Sequence, residues 1–256
     1  MNRMKILIII SVIFIYSFSC AYALAYAPKE LQVGEKFIYK VKWMGIPVGE
    51  IKAVVEAETF FQKREVFIIR CYVQTNRFMS MIYRIRDRFV SYIDKKELVP
   101  VRLEVSRREG FYKKDAVTLF DHNKGKAYFH NFLDDSSKEY DIPPEVQDIV
   151  SIFYRLRHKE IIFDEEHRYD VAFAETVFSI FGTAEEKMKI SLSSGDSACV
   201  YFAEPYAKIG GDKLNHGSMS TYISADEYQI PYRVVLCAPL FTKVTATLIE
   251  SAALQS

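Results

Sequence analysis

Side chains that alternate with a period of two run through most of this chain, and that pattern limits the fold more than any other feature. From Lys36 to Trp43, the residues Phe37, Tyr39, Val41 and Trp43 share one face. Lys36, Ile38, Lys40 and Lys42 share the other. A β-strand sends successive side chains to opposite faces, so this stretch predicts a half-buried strand. Glu50 to Glu58 alternates again, and Gly45-Ile46-Pro47-Val48-Gly49 predicts a hairpin with a five-residue connection. Glu65 to Thr75 is apolar on both faces, as a central strand is. In Tyr83 to Tyr92, Arg84, Arg86 and Arg88 face one way and Tyr83, Ile85, Asp87 and Phe89 the other. Further strands are predicted over 101–108, 111–120, 126–132, 167–174, 186–192, 198–206, 218–223, 232–236 and 242–250. The expected class is mainly β: a strongly curved antiparallel sheet or an open β-barrel.

One segment departs from this period. After Pro143-Pro144, the residues Ile149, Ile152, Phe153 and Leu156 recur at helical spacing and form one apolar stripe. They predict a single amphipathic helix over about 145–158, with Pro144 and Glu145 in its first turn and Arg155, Arg157 and His158 in its last. The polar residues Asp148, Ser151, Tyr154 and Arg157 recur every three positions beside the stripe. Asp148 and Arg157 are expected either to cap the helix or to lock it to the sheet through an ion pair.

The N-terminus reads as a secretory leader. Arg3 and Lys5 make a basic head, Ile6 to Phe18 is an apolar run, and small-x-small triplets follow between Ala21 and Ala27. Residues 1–25 are therefore expected to be a signal peptide and residues 26–256 one exported β-rich domain. The minority readings are an uncleaved anchor, since residues 6–27 carry no charge, and a lipid on Cys20. Half of the chain is apolar and 14% is aromatic, enough to fill a large core. The formal net charge is +1; loss of Arg3 and Lys5 takes it to −1, so no global field draws in nucleic acid. Cys71, Cys199 and Cys237 remain after the leader, allowing at most one disulfide. Cys71 and Cys237 lie in apolar runs and read as small buried hydrophobes.

Chemistry-bearing motifs are sparse. His122, His130, His158, His167 and His216 stand at no metal-ligand spacing. There is no G-x-S-x-G elbow, and Gly210-Gly211 lacks the Lys-Ser or Lys-Thr of a phosphate loop. No catalytic residue, cofactor or metal is expected. The row Arg84, Arg86 and Arg88 could grip a phosphate or uronate bidentately; as a solvated outer face it would pair with Glu104 instead. The aromatic residues of the strands, beside one amphipathic helix, suggest a lid over an apolar ligand. The candidate ligand-binding residues are Tyr39, Trp43, Arg86, Arg88 and Tyr154.

Four stretches carry a resemblance. They are Gly34-Glu35 with Tyr39, Val41, Trp43, Gly45-Ile46 and Val48-Gly49; Tyr83-Arg84-Ile85-Arg86-Asp87 leading to Glu109-Gly110; Asp148-Ile149-Val150-Ser151 followed by Tyr154-Arg155-Leu156-Arg157; and Ser224-Ala225-Asp226 before Ile230-Pro231. In this order they resemble the bacterial exported family known as domain of unknown function 3108. The resemblance implies a β-rich fold and an envelope location in Gram-negative bacteria, and no activity. The expectation is a periplasmic, non-enzymatic, monomeric protein that binds a lipid or glycan. The alternatives are an enzyme acting on envelope polysaccharide and a structural partner in an envelope assembly.

Overall fold

The computed structural model describes residues 31–192, 195–214, 217–238 and 242–252. The leader expected over residues 1–25, with Cys20 and the uncharged run to Ala27, lies outside the described residues, as does His216. The first half of the chain folds as β1 (Lys36–Trp43), β2 (Ile46–Phe61), β3 (Arg64–Thr75), β4 (Arg86–Asp94), β5 (Pro100–Glu109), β6 (Tyr112–Asp121), β7 (Lys126–Asn131) and β8 (Ser136–Asp141). A single turn of helix, α1 (Met79–Ile82), joins β3 to β4. The helix α2 (Ser151–His158) follows. The second half is β9 (Glu166–Phe173), β10 (Thr176–Thr183), β11 (Glu186–Ser191), β12 (Ser197–Ala203), β13 (Tyr206–Ile209), β14 (Asp212–Lys213), β15 (Ser218–Ser224), β16 (Pro231–Ala238) and β17 (Thr242–Ser251).

Thirteen strands form one antiparallel sheet in the order β11-β12-β15-β16-β17-β1-β2-β3-β4-β5-β6-β7-β8. The last strand pairs with the first, Phe37 opposite Ser251 and Trp43 opposite Val244, and so joins the two halves of the chain into one surface. The sheet is curved but does not close, because β11 and β8 are both edges. Those edges carry Lys187, Lys189, Lys138 and Glu139, and charge on an edge strand discourages pairing with another chain. A second sheet, β14-β13-β10-β9, lies apart from the first. It is tied to the segment before α2 by the parallel bridge between Gln147 and Val171.

Several sequence expectations are met element for element. β1 spans the predicted residues, with Phe37 and Tyr39 buried and Lys40 exposed. β3 lies deep inside the sheet. Two expectations are corrected. The β1–β2 connection is two residues, not five: Met44 and Gly45 both have positive φ, 49° and 85°. That is the backbone of a turn whose twist matches the flanking strands. Pro47 to Gly49 therefore continue into β2. The helix is also shorter than predicted. Glu145 adopts a φ of 56°, and Gln147 gives its backbone to strand pairing, so neither can enter a helix.

The start of α2 is closed by reciprocal capping. Asp148 Oδ1 accepts from the backbone N–H groups of Val150 and Ser151, both at 2.7 Å, while Ser151 Oγ accepts from the Asp148 N–H at 2.7 Å. Asp148 Oδ2 also accepts from Ser91 Oγ on β4 at 2.6 Å. At the other end Arg157, 2% exposed, forms a buried ion pair with Glu35, which directly precedes β1. The Arg157 guanidinium lies 4.9 Å from the centre of the Phe37 ring, and its Nε donates to the Tyr228 carbonyl. Capping and locking thus both occur, through different partners.

Breaking one side of a buried ion pair strands the other charge in low dielectric. Glu35→Ala is expected to lower stability in urea unfolding by about 3–5 kcal/mol. The apolar pair Glu35→Leu with Arg157→Met is expected to lose less. An equal loss in both would mean that packing, not charge, holds α2.

Candidate functional site

The residues that α2 buries are not its apolar stripe. Ser151, Tyr154 and Arg157 are its buried residues, whereas Ile152, Phe153 and Leu156 are only half-buried. The polar row, fixed by the cap and the ion pair, turns the stripe toward an open space. Ile149, Ile152, Phe153 and Leu156 form one wall of a cavity of about 500 Å³. Phe153 meets the rings of Phe37 and Tyr39 edge to face, at 5.2 and 6.2 Å.

The opposite wall comes from the large sheet. Tyr39 and Val41 of β1, Ile51 and Ala53 of β2, and Cys71 of β3 contribute to it. Met219, Thr221 and Ile223 of β15, Val234 and Leu236 of β16, and Val244 and Ala246 of β17 extend it. Tyr169 of β9 and Ile180 of β10 close a side. The volume lies within the range of small-molecule sites, roughly 300–1,000 Å³. No Asp, Glu, Lys or Arg lines the space among the described residues.

A few polar atoms interrupt this apolar surface. The hydroxyls of Tyr39 and Tyr154 are buried and have no hydrogen-bond partner. Burial holds both phenols well above their ordinary pKa, so they stay neutral and can each donate or accept. Charge on Cys71 would raise both hydroxyls further, and charge on Tyr39 would raise that of Tyr154, so these groups sit in one neighbourhood. Burial pushes the Cys71 thiol up to about 12, and the Asp148 carboxylate adds to the effect. His167 Nε2 accepts from the Ile162 N–H at 3.2 Å. A second, polar cleft holds Glu145 and Asp170, but each is ion-paired, to Arg155 and Arg168.

Of the five residues singled out from sequence, the structure brings Tyr39 and Tyr154 together at the cavity. Trp43 lies beyond the buried part of β1 and is 45% exposed. Arg86 and Arg88 are exposed on the outer face of β4, whose inward positions belong to Asp87 and Phe89. Cys237, expected to be buried, is exposed on β16, and Cys71 is half-buried; all three described cysteines are free. Sequence reasoning missed the wall formed by β10, β15, β16 and β17. Its one available signal was the row at every third residue of α2, which marks a helix held by polar contacts and not by its stripe.

A thiol with a pKa of about 12 is almost wholly protonated at pH 8, roughly one part in ten thousand thiolate. Iodoacetamide at pH 8 is expected to alkylate Cys199 and Cys237 at least a hundred times faster than Cys71, by peptide mass mapping. Labelling of all three at one rate would contradict the desolvated, apolar setting of Cys71.

Comparison with known proteins follows the fold. No curated protein matches the chain. A β-barrel-like protein of the DUF1849 family from Brucella abortus superposes with a TM-score of 0.57 at 8% identity, covering 86% of this chain and 97% of that one. A chain described as a lipoprotein from Parabacteroides distasonis ATCC 8503 gives 0.38 at 8% identity, over 87% and 96%. The first is a likeness of fold alone, and the second score is too low to argue from. The family model described as a protein of unknown function, DUF3108, matches residues 38–240. That span is most of the chain and includes the helix and most of the sheet and cavity wall: the chain belongs to the DUF3108 family.

Proposed function

We propose that this is an exported, non-enzymatic binding protein that holds the apolar body of an amphipathic ligand, a lipid acyl chain, in the cavity beneath α2. The observation that carries this reading is the orientation of the helix. Its polar row is anchored in the protein, and its apolar stripe faces about 500 Å³ of space. Apolar side chains left against water forgo about 25 cal/mol per Å² of burial, which a lipid tail would restore. The wall is poorly matched to a glycan, which needs a dense set of hydrogen-bonding partners. The unpartnered Tyr39 and Tyr154 hydroxyls suit one neutral polar group on the ligand, an ester carbonyl or a protonated acid. The leader of residues 1–25 and the envelope location implied by the family resemblance support a periplasmic setting, and the protein acts there as a monomer.

Native mass spectrometry of the protein purified from its own host is expected to show a lipid adduct, and a clean apo mass would count strongly against the proposal. Displacement of N-phenyl-1-naphthylamine by palmitic acid gives an affinity. Ala53→Trp, which fills the cavity from β2, is expected to weaken both ligands at least ten-fold. Joint replacement Tyr39→Phe and Tyr154→Phe is expected to weaken palmitic acid by about two- to ten-fold, the worth of a lost hydrogen bond, and to weaken the probe, a diarylamine with a single N–H, by less. Undiminished binding by the Ala53 variant would place the ligand elsewhere.

A further inference from the structure

In an antiparallel sheet, alternate connections lie at the same end. The β1–β2, β3–β4 and β5–β6 connections are therefore neighbours along one rim, and the first residues of β17 lie beside them, since Trp43 pairs with Val244. This rim gathers much of the large apolar surface that the protein leaves in water. Met44 and Ile46 project from the first connection, 54% and 56% exposed. Phe78, Met81 and Ile82 project from the second, around α1. Phe111, at the tip of the third, is fully exposed. Single exposed apolar residues are ordinary, but a contiguous set marks an interaction surface.

The connections are locked to one another. Asn76, at the end of β3, donates to the carbonyls of Pro47 and Val48 across the β1–β2 connection. The Gly110 N–H donates to the Arg84 carbonyl, and the Tyr83 hydroxyl to that of Glu109. A Cβ at position 110 would lie 2.8 Å from the Tyr83 ring, so this close approach requires Gly110. The apolar tips are thus presented by a rigid edge.

Charge selects the partner. Lys42, Arg77, Arg84, Arg86, Lys113 and Lys243 surround the tips, and each is exposed. None has an ion-pair partner among the described residues. Of the carboxylates beside Arg84 and Arg86, Glu109 pairs with Arg107 and Asp87 is buried. The next connection, between β7 and β8, also exposes Phe132 but carries Asp134 and Asp135, so the basic face ends there. Apolar tips ringed by unpaired cations, with an aromatic residue at their base, match the cross-section of an anionic bilayer surface.

We infer that this rim is a membrane-docking edge, which inserts Met81, Ile82 and Phe111 among the acyl chains of an anionic leaflet and sets Arg84 and Arg86 against its phosphates. The edge also borders the cavity. Trp43 pairs with Val244 of the cavity wall, and Leu236, another wall residue, is 46% exposed. Docking would set this end of the cavity wall against the lipid, whatever the cavity holds.

Trp43 is the only tryptophan in the chain and stands on this rim, so its fluorescence reports docking whatever the N-terminal segment does. Vesicles of phosphatidylglycerol are expected to shift its emission to the blue, and brominated acyl chains to quench it. Vesicles of phosphatidylcholine should bind at least ten-fold more weakly, as should phosphatidylglycerol in about 0.5 M salt. The joint variant Met81→Asp and Phe111→Asp, at two exposed positions, should keep the thermal midpoint and lose at least ten-fold in partitioning. Arg84→Ser with Arg86→Ser should lose the preference for the anionic lipid. Unchanged Trp43 emission with phosphatidylglycerol, or equal partitioning by the Asp variant, would overturn the inference. So would a dimer in sedimentation that Phe111→Asp dissolves while vesicles have no effect, since the tips would then serve self-association.

Discussion

The buried contact between Arg157 and Glu35 decides what the helix can do. Eight residues are too few to hold a helix in water by backbone hydrogen bonds alone, because nucleation costs more than so short a helix recovers. A short helix on a sheet is usually held by its apolar stripe. Here the polar row holds it instead. Asp148 caps the helix and reaches Ser91, and Arg157 pairs with Glu35 beside the ring of Phe37. The stripe is thereby turned toward a space, with Phe153 resting on the rings of Phe37 and Tyr39. A buried ion pair adds little net stability compared with apolar packing, so its main effect is on orientation. It sets the rotation of α2 about its own axis, and with it the chemistry of the cavity wall.

The sheet makes that space available by curving without closing. In a small closed barrel, inward side chains from all around meet and fill the centre. Here β8 and β11 do not pair, and residues of α2, β9 and β10 line the cavity together with the large sheet. Two surfaces built by different parts of the chain therefore face each other without interdigitating along their full length. No Asp, Glu, Lys or Arg among the described residues lines the space, and burial holds Tyr39, Tyr154 and Cys71 neutral. The rim is the electrostatic opposite. There, arginine and lysine stand without an ion-pair partner among the described residues, beside exposed methionine and phenylalanine, so one sheet carries a neutral interior and a basic, apolar edge.

Much of this was legible in the alternation of residues. The span of β1, the interior place of β3 and the outward row Arg86 and Arg88 all follow from the rule that successive side chains face opposite ways. Where the rule carries no signal, elements were missed. β8 is polar on both faces and shows no contrast to read, and β10 was passed over beside the charged turn that follows it. The helix was overextended at its start because Pro144 and Glu145 suit a first turn, yet the positive φ of Glu145 and the pairing of Gln147 with Val171 depend on a strand that comes later in the chain. Of the candidate ligand residues, Tyr39 and Tyr154 reach the cavity, while Trp43 and the two arginines lie outside it.

By itself, the order of residues determined that this chain would form a large antiparallel sheet with one short amphipathic helix, because period and turn chemistry are local. Which face of that helix would be buried was decided only by the tertiary structure. Arg157 finds Glu35 at a separation of 122 residues, and Asp148 finds Ser91 at 57. Those partners meet only after the sheet has curved, and their pairing turns an apolar stripe that sequence alone would place in the core toward an open cavity.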